Sequence, residues 1–203
     1  MKALGKGSIA SIVRVGLQIS WIVLWAVAGI LVVLAIGYAG FLILSANGVI
    51  DPGLLSGNDG QVQIGAKGGS DFSVSYANAD GATWPVFVPA LLIGGVAVAG
   101  SLVIVWRLKK LFDSFSSGEP FRRENAKHLR VIWITMLVIE VSRYVLMGLT
   151  AFLLARFGEG AREISITIDG DRLAAWGSIL ILIVLAEVFR EGARLKEEQE
   201  LTI

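Results

Sequence analysis

Glu140 and Arg143 are the only charged residues in an otherwise apolar run from Val131 to Ala155. Three residues apart, they fall on neighbouring turns of one helical face. Counted from Arg130, they lie roughly 15–20 Å into a membrane core about 30 Å thick. Either charge alone at that depth costs at least about 2.5–3.5 kcal/mol on insertion scales, so pairing within the bundle interior is the favoured arrangement. Two chemistries fit: a structural pair that fixes helix packing, or a station in a proton or ion relay. The structural pair is preferred, because a relay usually needs more than one titratable station.

Other chemistry is sparse. His128 is the only histidine and the chain has no cysteine, so a soft metal site is not expected. There is no H-E-x-x-H and no G-x-S-x-G, and GKGS at Gly5 to Ser8 lacks the preceding glycine of a phosphate loop. The expectation is a protein that is not an enzyme and has no catalytic residue, cofactor or metal.

The element that must carry Glu140 and Arg143 is one of four apolar spans. The first is unmistakable: Val15 to Ile50 is free of charge, and about 20 apolar residues suffice to cross a bilayer. It is too long for the apolar region of a signal peptide, about 7–15 residues, so it reads as an anchor. The second is uncharged from Gly81 to Trp106, the third is the run just described, and the fourth extends from about Leu173 to Phe189, interrupted by Glu187. Hydrophobic residues make up 55% of the chain, above the roughly 45–50% apolar norm of soluble domains. The expected spans are about 17–46, 86–108, 128–155 and 173–193, in one integral membrane domain covering 1–203. Outer loops are expected at about 47–85 and 156–172, with a cytoplasmic loop at about 109–127. Small residues four apart, Ala35 with Ala39 and Gly95 with Ala99, favour close helix association and are compatible with a homo-oligomer.

Basic residues set the orientation. Three lie in the amino tail (Lys2, Lys6, Arg14), seven between spans two and three, and three after span four (Arg190, Arg194, Lys196). The remaining loops hold only Lys67, Arg156, Arg162 and Arg172. Because Lys and Arg resist translocation, both termini are expected on the cytoplasmic side of the membrane. The net charge of +1 conceals this asymmetry.

The outer loops carry period-two alternation: Val62 and Ile64; Phe72, Val74 and Tyr76; Ile164, Ile166 and Ile168. Bounded by Gly, Asn and Asp, such runs read as half-buried strands. The expected fold class is an all-α membrane protein of four transmembrane helices with a small extracytoplasmic three-stranded β cap. The alternative is an unordered Gly-rich loop.

Two segments project from the basic side. Between spans two and three, Ser116, Ser117, Gly118 and Pro120 break the helix, flanked by Phe112, Phe115 and Phe121. After span four, EVFREGAR repeats the i,i+3 spacing of acid and base at Glu187 and Arg190, then at Glu191 and Arg194. One reading is an interfacial, solvated helix end beside anionic lipid, where Arg snorkels. The other is a partner surface formed by Gly118, Pro120, Phe121, Arg122 and Arg123 together with Glu187, Phe189, Arg190, Glu191 and Gly192. Direct nucleic-acid binding is not expected, because Asp113, Glu119 and Glu124 interrupt the basic residues.

The stretch SGEPFRRENAKHLRVI resembles the G-x-P-F…N…L-R signature of a widespread family of uncharacterised bacterial four-span membrane proteins. The carboxyl end resembles that family's closing motif: Phe189, Gly192, Leu195, Glu197, Glu198, Leu201 and Thr202 stand where it has F-x-x-G-x-x-L-x-E-E…L-T. The Gly-rich outer loop departs from the family. The resemblance implies no particular reaction. It does imply a partner, since such proteins are commonly encoded beside a very small helix-turn-helix regulator. The expectation is a membrane-located regulatory or scaffolding partner of a small transcription regulator, with a small ion or solute transporter or channel using Glu140 and Arg143 as the alternative.

Topology is open to direct test. Reporter fusions at Gly5, Gly118 and the carboxyl terminus should report cytoplasm, and one near Gly68 should report the outside. A cytoplasmic signal at Gly68 would overturn the arrangement.

Overall fold

In the computed structural model, residues 9–50, 59–64, 72–77, 84–116, 122–157, 159–166 and 170–200 are described. Helix α1 is Ile9–Ala46, α2 Trp84–Ser116, α3 Arg123–Phe157 and α4 Gly170–Glu200. All four are long and apolar enough to cross a membrane. At 38 residues, α1 is about 57 Å long, well beyond the hydrocarbon thickness, so its ends reach past the apolar core. It stops at a glycine. Gly48 has φ +70, Val49 N–H donates to Leu44 O at 3.0 Å, and Gly48 N–H donates to Ser45 O at 3.0 Å. That pair of bonds closes the helix with a left-handed residue that glycine adopts without strain, and Asn47 Nδ2 adds a 2.7 Å bond to Ile43 O.

The helices extend past the apolar stretches that betray them. α2 continues through Arg107, Lys109, Lys110 and Asp113 to Ser116, and α3 begins at Arg123. Lys, Arg and Glu are good helix formers, and their charged ends reach water from a helix that has left the core. Inside the spans, hydroxyls are satisfied locally: Thr135 donates to Val131 O, Thr150 to Leu146 O, and Ser178 to Ala174 O, at 2.7–2.8 Å. Each bond removes a polar group that lipid cannot satisfy.

The chain separates into two compact units, each described by itself. One comprises Met1–Ala28, Ala97–Ile139 and Ala174–Ile203; the other comprises Gly29–Val96 and Glu140–Leu173. In the second unit α1 meets α2 where Tyr38 stacks on Phe87, with ring centroids 4.7 Å apart, and where Leu31 lies 3.4 Å from the Cβ position of Gly94. In the first unit α2 and α3 approach closely at Gly100. A Cβ built there would lie 2.4 Å and 2.7 Å from Ile139 Cδ1 and Cγ1 and 3.3 Å from Thr135 Cγ2. The small residues that matter for packing are therefore Gly94 and Gly100. Gly95, Ala99, Ala35 and Ala39 are exposed, so their spacing marks a face turned away from these contacts.

Three strands, β1 (Asp59–Ile64), β2 (Phe72–Ala77) and β3 (Glu159–Ile166), pair antiparallel in the order β1-β2-β3. Their register aligns Val62, Val74 and Ile164 in one row and Ile64, Phe72 and Ile166 in the next. The expected fold class is corrected in one respect. A three-stranded cap seated on the four helices is not seen among the described residues; the strands pair with one another, and Ile168 lies outside those residues. Alternation identifies residues that share a face, but it does not specify what that face packs against.

The contact at Gly100 yields a prediction. Gly100→Leu should lower the thermal unfolding midpoint of the purified protein, because overpacking costs typically about 1–3 kcal/mol. Gly95→Leu, where nothing lies within 4 Å, should leave it unchanged. Ile139→Ala should recover part of the loss, and equal effects at Gly95 and Gly100 would refute the packing.

Candidate charged-end surface

The ends of α2 and α4 and the start of α3 meet in the first unit around a small apolar cluster. Leu111, Leu129 and Ala186 are buried, with Leu108, Phe115, Trp133, Leu182 and Phe189 packed against them. Each helix contributes residues at three- and four-residue spacing, such as Leu108, Leu111 and Phe115 from α2, and Leu182, Ala186 and Phe189 from α4. Phe115 stacks on Phe189 with centroids 5.8 Å apart, and Phe112 meets Phe115 edge-on at 6.0 Å.

Asn125 is the most informative residue that the sequence reading did not single out. It is 1% exposed beside Leu129, at 2%. Its Nδ2 donates to Ser114 Oγ of α2 at 2.9 Å, and its backbone N–H donates to Arg122 O at 3.0 Å. A buried side-chain amide without such a partner would cost about 1–3 kcal/mol, so this bond specifies how the α2 end meets the α3 start. The available signal was the N…L spacing of the SGEPFRRENAKHLRVI stretch, which corresponds to these two enclosed side chains.

Ion pairs decorate this end. Arg14 of α1 meets Asp113 of α2 at 3.0 Å, and Arg123 of α3 meets Glu197 of α4. Along α4, Arg190 bonds Glu187 and lies 3.7 Å from Glu191, while Arg194 pairs with Glu191 at 3.2 Å and Glu198 at 3.4 Å. Every side chain involved is at least 41% exposed, so these pairs add little stability and mainly hold an ordered charged surface. Cations also lie over indole rings, Lys109 over Trp21 at 4.9 Å and Lys110 over Trp106 at 4.0 Å. Arg107 Nη1 lies 3.3 Å from His128 Nδ1, linking α2 to α3.

Two open grooves flank α3. One of about 820 Å³, between α2 and α3, is lined by Arg107, Lys110, Asp113, Arg122 and His128 among others. The other, of about 710 Å³, lies between α3 and α4.

The expected surface residues are distributed as follows. Arg122, Arg123, Glu187 and Arg190 are exposed; Phe189, Glu191 and Gly192 are half-buried. Phe189 is engaged with Phe115, so its ring supports the surface from beneath. Gly118, Pro120 and Phe121 lie outside the described residues. Glu140 and Arg143 belong to the second unit, are half-buried on α3, and each engages other groups. Arg143 lies 5.5 Å from the Tyr144 ring. Glu140 Oε2 and Arg143 Nε are buried atoms with no hydrogen bond of their own, an arrangement that leaves both residues sensitive to loss of a charged neighbour.

A family model described as "Protein of unknown function (DUF2975)" matches residues 73–203. No curated protein and no solved structure matches the chain.

The pairing expected of Glu140 with Arg143 predicts that Glu140→Ala destabilises the protein, since removing one member of a buried charged pair costs about 3–5 kcal/mol. Leucine at both 140 and 143 should regain much of the loss in a thermal or denaturant unfolding assay. If both single variants were fully stable yet lost a measurable ion flux in liposomes, the relay reading would replace the structural one.

Proposed function

The chain belongs to this family of unknown function, and from that premise we propose that it is a membrane-located regulatory or scaffolding partner of a small cytoplasmic transcription regulator. It sits in the bacterial cytoplasmic membrane with both termini inside. The observation that carries this reading is the joining of two separate motif-bearing segments into one surface. The first contributes Arg123, which faces Glu197 of the second, over a base in which Asn125 and Leu129 are buried and Phe189 stacks on Phe115 of α2.

Such a surface suits protein docking better than nucleic acid. Arginines alternate with carboxylates at Glu187, Glu191, Glu197 and Glu198, giving a partner a mixed pattern to match rather than a uniform positive field. Regulation needs two arrangements of the helices that the partner binds unequally, so that an outer event biases the inner surface. A small ion or solute transporter is the second reading, favoured by the half-buried Glu140 and Arg143 in one apolar span.

The adjacent helix-turn-helix regulator, where one is encoded, should co-purify with the full-length protein and be lost when residues 190–203 are deleted. Arg123→Glu should weaken capture, and Glu197→Arg combined with it should restore part of it. A regulator whose location and DNA binding are the same with and without this protein would end the proposal.

A further inference from the structure

The groove between α3 and α4 grades from apolar to cationic along both of its walls in the same direction. On α3 the wall runs from Trp133 through Arg130 and Lys127 to Arg123, residues that share one helical face at three- and four-residue spacing. On α4 it runs from Ile183 and Ala186 to Glu187, Arg190 and Arg194. Five cations and two carboxylates line it. Three of those cations already face carboxylates: Arg123 pairs with Glu197, Arg190 with Glu187, and Arg194 with Glu191. Lys127 and Arg130 are exposed and have no ion pair among the described residues. They are the two positive charges the groove leaves for an outside group.

The gradient also has the dimensions of a lipid. Lys127 and Arg130 precede Trp133 by three to six residues, about 4.5–9 Å along the helix axis, and the headgroup layer of one leaflet is about 5–8 Å thick. Tryptophan favours the boundary between that layer and hydrocarbon. Exposed Ile183 continues the groove into the apolar length of α4, where acyl chain is the matching neighbour. A soluble anion would match the cations and leave Trp133 and Ile183 unmatched; a protein partner would have to enter hydrocarbon to cover them.

We propose that the α3–α4 groove binds the phosphate headgroup of an anionic phospholipid, with Lys127 and Arg130 on the phosphate and Trp133 and Ile183 along the glycerol and first acyl carbons. The groove shares Arg123, Glu187, Arg190 and Glu191 with the surface assigned to a regulator, but the lipid site does not rest on that reading.

The test uses full-length protein in phosphatidylcholine nanodiscs containing a small mole fraction of brominated phosphatidylglycerol or of brominated phosphatidylcholine. Quenching of Trp133, taken as wild type minus Trp133→Phe, reports lipid in the groove. Quenching should reach its midpoint at a mole fraction of phosphatidylglycerol at least about fivefold lower than that of phosphatidylcholine, the factor for one basic side chain near an anionic headgroup. Lys127→Gln with Arg130→Gln should abolish the preference. Lys127→Arg, which keeps the charge, and Lys110→Gln, which removes one charge from the neighbouring groove, should both preserve it. Equal quenching by the two lipids, a preference that survives the double change, or equal loss in Lys110→Gln would overturn the proposal. Reversal of the quenching by millimolar inorganic phosphate would assign the groove to a soluble anion and overturn it as well.

Discussion

A side-chain amide that is almost wholly covered, as Asn125 is at the base of the α2–α3 groove, must draw on the protein for its hydrogen bonds. Asn125 meets that requirement at Ser114 Oγ, and the geometry of that one bond aligns the last turns of α2 with the first turns of α3. Leu129, one turn further along α3, then lies against Leu111 and Ala186, and the cluster acquires its third helix. Phe115 reaches Phe189, and Arg123 lies opposite Glu197. Each of these contacts depends on the register set between α2 and α3. Shifting that register by one residue would rotate Asn125 about 100° away from Ser114 and break that bond.

This packing explains why a membrane protein with few enclosed residues presents so ordered a charged end. Along α1 only Tyr38 is buried among the described residues, as suits a helix whose neighbour is lipid. Enclosure falls at scattered points, such as Tyr38, Met147 with Thr150, and Leu111 with Asn125 and Leu129. The exposed ion pairs along α4 are individually weak, and their common orientation comes from the helix beneath them rather than from their own strength. A surface assembled this way can change its outer charges with little effect on stability, whereas changes to Asn125, Leu129 or Gly100 act on the helices themselves.

The apolar spans were legible because lipid imposes a compositional rule that few other environments impose; Val15 to Ile50 needs no further signal. The charged segment between spans two and three was legible as the continuation of one helix, a break and the start of the next, and α2 does run to Ser116 and α3 does begin at Arg123, because Lys, Arg and Glu favour helix once water is within reach. Small-residue spacing pointed to Gly95 and Ala99, while the close approaches occur at Gly94 and Gly100, because spacing gives a periodicity without the phase that selects a face. Alternation gave the strand residues whose register aligns Val62, Val74 and Ile164, but the seat expected beneath them was not a property that alternation encodes. Asn125 was hidden for a different reason. A polar residue near basic neighbours reads as solvated, and only its distance to Ser114 reveals that it is enclosed.

The Phe115–Phe189 stack holds α2 and α4 side by side at their charged ends. Because the chain has no cysteine, Phe115→Cys combined with Phe189→Cys creates the only thiol pair, at positions whose native rings are 5.8 Å apart. Mild oxidation of native membranes, followed by proteolysis and mass analysis, should recover a disulfide linking the α2 and α4 peptides in most of the protein. Recovery of the two peptides unlinked, with both thiols alkylated as rapidly as a cysteine placed at exposed Leu195, would contradict the account.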